Sequence, residues 1–188
     1  VVTAINNAGG SAIGLSGKDG RLIEARKLQR LTRDPDSNIE KVLDLGFVGE
    51  PVRIDPGMLD ILDRSDLIPV VAPIGVGAEG ETYNINADTV AGKIAATLRA
   101  AKLIMLTDVA GVLNGEGGLI SKMSPAQARE LMAGEVIKGG MIPKLETCLS
   151  AVEQGVASAH ILYGRLPHVL LLEAFTEAGV GTMIEADG

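Results

Sequence analysis

The stretch Leu103-Ile104-Met105-Leu106-Thr107-Asp108-Val109-Ala110-Gly111-Val112-Leu113 decides the fold. Its first four residues are an uninterrupted apolar run of buried-strand length, closing in Thr107-Asp108 and a glycine loop from Val109 to Gly118. Just upstream, Val90, Ala91, Ile94, Ala95, Leu98 and Ala101 recur at helical spacing, so residues 87–101 are expected to form an amphipathic helix. A helix feeding a buried strand that ends in a loop is half of a crossover unit, and the same alternation continues on both sides.

Downstream, Ser124-Pro125 caps and starts a helix to Met132, Gly139-Gly140 precedes a helix from about Ile142 to Gln154, and Ala159–Leu162 is a strand. His168–Thr176 is expected to be helical and Thr182–Ile184 a last strand. Upstream, Leu67–Val71 is a second apolar strand, followed by an expected loop at Pro73-Ile74-Gly75-Val76-Gly77. Asp55-Pro56 opens a short helix through Asp63, and Phe47–Ile54 has β character. Residues 30–41 are polar and read as a surface loop, while Leu22–Leu28 and Ser11–Leu15 read as strands around a turn at Gly17–Gly20. Val1–Asn7 looks like the last turns of a helix stopped by Gly9-Gly10, so the chain is expected to be a fragment that opens inside an element. Together these elements predict an α/β fold, a mostly parallel open sheet sandwiched between helices, with a lobe boundary near residues 100–102. Ligands in such sheets collect beyond the carboxyl ends of the strands.

Composition bounds the function. The 188 residues carry 17 basic and 24 acidic side chains, a net charge of -7, without a basic stripe, which argues against a nucleic-acid surface. The longest apolar candidate, Leu67–Ala78, holds Pro69 and Pro73 and falls short of the ~18 residues a membrane span needs. Only four residues are aromatic against 46% hydrophobic, so an aliphatic core is expected, and the 24 glycines should sit in turns and ligand loops. A single cysteine, Cys148, permits no internal disulfide and suits a reducing cytoplasm; its place on the inner face of a helix makes it core rather than nucleophile.

Three constellations could carry chemistry. In Tyr83-Asn84-Ile85-Asn86-Ala87-Asp88 two amides and a carboxylate share one face if the segment is extended, and they could hold an amino-acid-like ligand; Asn86 or Asp88 could equally just cap the next helix. Asp108 and Gly111 stand where a strand-end carboxylate and close backbone amides could meet a nucleotide, or where an ordinary turn happens to contain Asp. Lys138-Gly139-Gly140-Met141-Ile142-Pro143-Lys144 places lysines at a positively polarised helix start, a conflict that a bound anion would resolve. Solvated lysines beside entry-shaping glycines are the plainer account. No metal site is expected, because His160 and His168 lack companions at ligand spacing.

In combination, Asn-x-Asn-x-Asp, Leu-Thr-Asp-Val-x-Gly-Val-Leu and Gly-Gly-Met-x-x-Lys resemble the amino acid kinase superfamily, and within it the N-acetylglutamate kinases, while the run His160–His168 with Leu170–Glu173 and Gly179–Ile184 resembles their arginine-sensitive branch. Ile13-Gly14-Leu15-Ser16-Gly17-Lys18-Asp19-Gly20, Gly46-Phe47-Val48-Gly49 and Ile68-Pro69-Val70-Val71-Ala72-Pro73-Ile74-Gly75 fit the same family. The resemblance implies an ATP- and Mg²⁺-dependent phosphotransferase of arginine biosynthesis in the cytoplasm, with residues 1–100 as the amino-acid lobe and 101–188 as the nucleotide lobe. By resemblance, Lys144 and Asp88 would be catalytic and Asn84 and Asn86 would hold N-acetyl-L-glutamate. Asp108, Val109, Ala110, Gly111, Val112 and Leu113, with Val136, Ile137, Lys138 and Gly140, would surround the nucleotide.

His160, Glu173 and Gly179 match an effector site for arginine, as a carboxylate suits a guanidinium; on the residues alone, a strand-end histidine and a solvated helix charge remain an account of the first two. Tyr163 stands where that branch usually has Asp or Asn. The family also has an N-terminal part with a glycine-rich phosphate loop, a second lysine, a substrate arginine and a helix linking dimers into hexamers, so this chain alone is expected to be inactive. A kinase-like arginine sensor without catalysis and another amino acid kinase are the alternatives.

Overall fold

A computed structural model describes residues 1–33, 40–176 and 179–186. The elements are α1 (Val2–Asn7), β1 (Ala12–Ser16), β2 (Ile23–Lys27), β3 (Arg30–Arg33), β4 (Glu40–Leu43), β5 (Val48–Ile54), α2 (Pro56–Asp63), β6 (Ile68–Ala72), β7 (Ile74–Val76), β8 (Thr82–Ile85) and α3 (Ala87–Leu98). They continue with β9 (Lys102–Thr107), β10 (Lys122–Met123), α4 (Pro125–Ala133), α5 (Met141–Glu153), β11 (Ser158–Tyr163), α6 (Val169–Phe175) and β12 (Thr182–Glu185). Two helix starts follow the expected capping chemistry. Asp55 Oδ1 accepts from Gly57 N at 2.9 Å with Pro56 at the first helical position. Ser124 and Gln127 cap each other's backbone N–H at 3.3 and 3.0 Å. Each such cap stabilises its helix by about 1 kcal/mol.

The chain divides into two compact units, Val1–Val90 and Ala91–Gly188. In the first, β1 and β6 form a parallel pair, Ala12 opposite Ile68 through Ser16 opposite Ala72. Beside this pair, β2, β5, β8 and β7 close into a small barrel. Its strands bury Ile23, Ala25, Ile54, Val76, Tyr83 and Ile85. A barrel this narrow has no room for side chains at every inward position: a Cβ on Gly49 would lie 2.6 Å from Tyr83 Cβ, and one on Gly75 2.7 Å from both Ala25 Cβ and Ile85 Cδ1.

Two sequence expectations need correction here. The stretch Pro73–Gly77 is not a loop throughout, because Ile74–Val76 pairs with both β8 and β2. Its two glycines suggested irregular backbone, yet Gly75 is demanded by close packing inside a closed sheet. Residues 30–41 are not simply a polar loop either, since β3 and β4 pair antiparallel with Arg30 opposite Leu43 and Arg33 opposite Glu40. Backbone ladders do not require an apolar run, so composition alone missed the hairpin. The middle of that expected loop, Asp34–Asn38, lies outside the described residues.

The second unit is built on the sheet β10-β12-β11-β9. The ladder of β9 and β11 is parallel, Lys102 opposite Ser158 through Thr107 opposite Tyr163, and β12 runs antiparallel to β11. β11 is buried almost from end to end, with Ala159, Ile161 and Leu162 at 0% exposure, which places it at the middle of the layer. From α5, Leu145, Cys148, Leu149 and Val152 pack on Leu103, Met105, Ala159, Ile161 and Ile184 in one aliphatic cluster. Cys148 is fully buried with its Sγ 3.3 Å from Met105 Sδ, the core role expected of it. Burying each Leu or Ile contributes about 1.5–3 kcal/mol, enough to order the loops that the strands carry. Among the described residues no helix is long and apolar enough to cross a membrane.

Candidate functional site

In the first unit the junction of β8 and α3 presents the amide pair. Alternation along the strand buries Tyr83 and Ile85 and leaves Asn84 and Asn86 exposed on the other side, so these two share a face. Asn84 N donates to Phe47 O at 2.8 Å, tying the strand to the Gly46–Gly49 segment. Asn86 is the cap of α3: its Oδ1 accepts from Thr89 N at 3.1 Å and from Thr89 Oγ1 at 3.3 Å. Capping therefore occurs at Asn86, whose side chain remains exposed. Extended backbone ends there. Asp88 is half-buried in the first helical turn, where a carboxylate is favoured by the helix dipole.

In the second unit, Asp108 follows the carboxyl end of β9, exposed and accepting from Thr107 Oγ1 at 3.2 Å. Behind it the loop is anchored. Val112 N donates to Thr182 Oγ1 at 2.8 Å, Thr182 Oγ1 donates to Ile120 O at 2.7 Å, and Ile120 N donates to Val112 O at 2.9 Å. Asn114 Oδ1 accepts from Glu116 N and Gly118 N at 3.0 and 2.8 Å, closing the tip. Of the expected nucleotide loop, Asp108, Val109, Ala110 and Leu113 are exposed, while Gly111 and Val112 are buried against β12. Sequence reasoning missed Thr182, for which the only available signal was a hydroxyl residue opening a strand after Gly181.

The start of α5 lacks both a side-chain cap and an acidic residue in its first turn. Gly140 is its cap residue with ordinary right-handed backbone, and a Cβ at Gly139 or Gly140 would meet nothing within 4 Å. Lys144 is half-buried in the next turn, Lys138 exposed, Val136 38% exposed and Ile137 buried in the core cluster. Packing within the chain does not explain the smallness of Gly140. Ile142 N already donates to Gly139 O at 3.2 Å and Pro143 has no N–H, so what suits this helix start to an anion is its positive dipole end beside the lysines rather than a row of bare N–H groups.

A third group gathers at the other end of the β11 sheet region. His160 is 1% exposed; its Nδ1 lies 2.6 Å from Glu173 Oε1 and its Nε2 2.8 Å from Ser158 Oγ. Glu173 Oε2 accepts from Val180 N at 3.1 Å. Gly179 adopts φ +61°, and a Cβ there would sit 3.4 Å from that same carboxylate oxygen. A cavity of about 300 Å³ is lined by His160, Glu173, Gly179, Lys102, Lys122 and Thr176, among others. The structure thus brings the three expected effector residues to one pocket. Tyr163, half-buried at the end of β11, is not among its lining residues.

The sequence profile of the amino acid kinase family matches residues 1–163. The chain is 61% identical over 186 residues to a protein of Rhodospirillum rubrum named acetylglutamate kinase, covering 99% of this chain and 60% of that relative. It is 60% identical over 184 residues to the acetylglutamate kinase of Rhodospirillum centenum, covering 98% and 60%. Thus the chain spans about 60% of the length of these curated relatives. Its fold also superposes, with a TM-score of 0.83 and 25% identity, on N-acetylglutamate synthase from Neisseria gonorrhoeae complexed with coenzyme A and N-acetyl-glutamate, covering 99% of this chain and 40% of that one. Together with the strand-end and helix-start loops described above, the profile match establishes that the chain belongs to the amino acid kinase family.

Proposed function

We propose that the protein transfers the γ-phosphoryl group of ATP to the side-chain carboxylate of N-acetyl-L-glutamate, a step of arginine biosynthesis, with arginine as an inhibitor bound at the His160–Glu173 pocket. The observation that carries this reading is the amino end of α5, uncapped, free of acidic residues and followed by Lys144. The names of the curated relatives at about 60% identity support the choice of acceptor. In this reading Asn84 and Asn86 hold the acetylated amino acid, Asp88 orders the lysine ammonium groups, and Asp108–Leu113 with Val136–Lys138 and Gly140 wrap the nucleotide. The acceptor is a carboxylate with an ordinary pKa near ~4.3, already ionised at neutral pH, so the transfer needs no general base. What remains is to hold two anions in line and to neutralise charge on the moving phosphoryl group, the task of Lys144 and the positively polarised start of α5. In this reading Mg²⁺ enters with the nucleotide, held mainly by the substrate phosphates. Homologous assembly, a dimer-based homo-oligomer reaching a hexamer, belongs to the same reading.

The test is hydroxylamine trapping of acyl phosphate, run on this chain and on a protein that carries it within the length of its relatives. The longer protein is expected to turn over N-acetylglutamate selectively and to lose turnover at least 100-fold on Lys144→Ala, as for loss of a charge-stabilising group. The 188-residue chain alone is expected to bind ligand without turnover. Selective turnover of another acceptor, or arginine binding without any nucleotide binding, would overturn the assignment.

A further inference from the structure

We propose that Ser158 is a positioning residue for the arginine pocket: its hydroxyl sets the proton state of His160, and through it the net charge that Glu173 offers a cationic ligand. The inference rests on the effector reading given above. His160 is almost wholly enclosed, and both ring nitrogens are engaged, Nδ1 by Glu173 Oε1 at 2.6 Å and Nε2 by Ser158 Oγ at 2.8 Å. Glu173 Oε2 takes the Val180 N–H at 3.1 Å. A carboxylate accepts only, so Nδ1 carries a proton, and the state of Nε2 is decided by Ser158.

Two arrangements satisfy these atoms. In the first, the Ser158 hydroxyl donates to Nε2, His160 is neutral, and the full negative charge of Glu173 stands in the cavity. In the second, Nε2 is protonated and donates to Ser158 Oγ, whose own proton turns to Ala101 O at 3.5 Å. The imidazolium then cancels the Glu173 charge. The Ser158 hydroxyl, the hydrogen-bond partner of Nε2, can serve as donor in one state and acceptor in the other. Among the described residues, the other charged groups lining the pocket are Lys102 from β9 and Lys122 from β10, the latter paired with Glu185 of β12; these cations oppose the imidazolium, whereas Glu173 from α6 favours it. Directly across the sheet from His160 stand Ile104 and Met183, which carry no charge. A guanidinium or ammonium ligand therefore meets an attractive pocket in the first arrangement and a neutralised one in the second.

The chain has two histidines, so His168→Gln leaves the ring signals of His160 alone in the NMR spectrum. In the otherwise wild-type chain, ring ¹⁵N shifts at high pH are expected to report the Nδ1–H tautomer; the Nε2–H tautomer overturns the proposal even without a serine variant. Ser158→Ala removes the acceptor that the imidazolium needs, an unmet charged donor being penalised more than an unmet lone pair, so the midpoint should fall by on the order of 0.5–1 pH unit. Ser158→Thr, which keeps the hydroxyl, should restore it. An unmoved midpoint in a Ser158→Ala chain with retained amide dispersion overturns the proposal. L-arginine, titrated calorimetrically, should weaken by up to about tenfold per pH unit below the midpoint, and the onset of that loss should move with the midpoint in Ser158→Ala. Equal arginine affinity at all pH values overturns the coupling. Arginine bound at no pH, with the serine-dependent midpoint intact, would sink the effector reading and leave the role of Ser158 in setting the His160 proton supported.

Discussion

Thr182 holds Val112: the Thr182 hydroxyl, at 0% exposure, accepts the Val112 N–H at 2.8 Å while donating to Ile120 O at 2.7 Å. One side-chain oxygen at the start of β12 thus fixes both arms of the loop that carries Asp108, across 70 residues of sequence. Replacing it by the near-isosteric valine leaves a buried N–H and a buried C=O without partners. Thr182→Val is expected to cost about 1–3 kcal/mol in urea unfolding, and to weaken ATP binding beyond what the stability loss explains. Full retention of both would show that the loop is held by its own hairpin.

The same contact sets the requirement at Gly111. It adopts φ +146°, and a Cβ would lie 2.6 Å from Thr182 Oγ1 and 2.8 Å from Leu119 Cδ1. Gly111→Ala must displace the anchoring hydroxyl, an overpacking cost of about 1–3 kcal/mol. Gly115, in the same loop, has nothing within 4 Å of its would-be Cβ, so Gly115→Ala should be neutral to within about 0.5 kcal/mol. Paired thermal melts of the two variants check this, and equal melting points would remove the packing argument.

The contrast between these glycines indicates how far the sequence could be read. Local rules were sufficient where the partners are local: Asp55, Ser124 and Asn86 cap helices within three residues of themselves, and the apolar runs at Leu103 and Ala159 became strands. His160, Glu173 and Gly179 also came together at one pocket, although they are scattered from residue 160 to 179. Distant contacts were not legible. Gly75 looked like loop punctuation because the side chains that exclude a Cβ there, Ala25 and Ile85, approach only once the barrel closes. Gly111 looked like a phosphate-loop glycine, and nothing near it in sequence announces Thr182.

Asn86 offers a way to separate a cap from a ligand contact. Its Oδ1 already accepts from Thr89 N at 3.1 Å, whereas Asn84 caps nothing and is exposed on the same face. Asn86→Ala is expected to lower stability by about 1 kcal/mol and to weaken N-acetylglutamate binding. Asn84→Ala should weaken binding similarly with stability unchanged. Stability measured by urea unfolding and affinity by calorimetry decide it; unaltered affinity in both variants would leave the pair as structure alone.

Acid should loosen the barrel at a known place. Glu24 on β2 and Arg53 opposite it on β5 form a two-pronged pair, with Nη2 to Oε1 at 3.0 Å and Nε to Oε2 at 3.2 Å. Hydrogen bonding from Arg53, outweighing the opposing desolvation and aided by the Arg53 charge and by the hydrogen bond and charge of Arg21, holds the Glu24 carboxyl below its ordinary value. A carboxyl depressed in the folded state binds its proton more readily when unfolded. Its contribution to stability is therefore complete above the unfolded carboxylate range, about pH 4–5, and disappears as pH falls through the folded value. Glu24→Gln cannot titrate, so the melting-temperature difference between wild type and this variant should be constant from neutral pH down to about pH 5 and shrink below it. The pair is exposed, so the difference should also shrink in 1 M salt, where the screening length is about 3 Å. A difference that widens on acidification would show that the Glu24 carboxyl is not held down by Arg53.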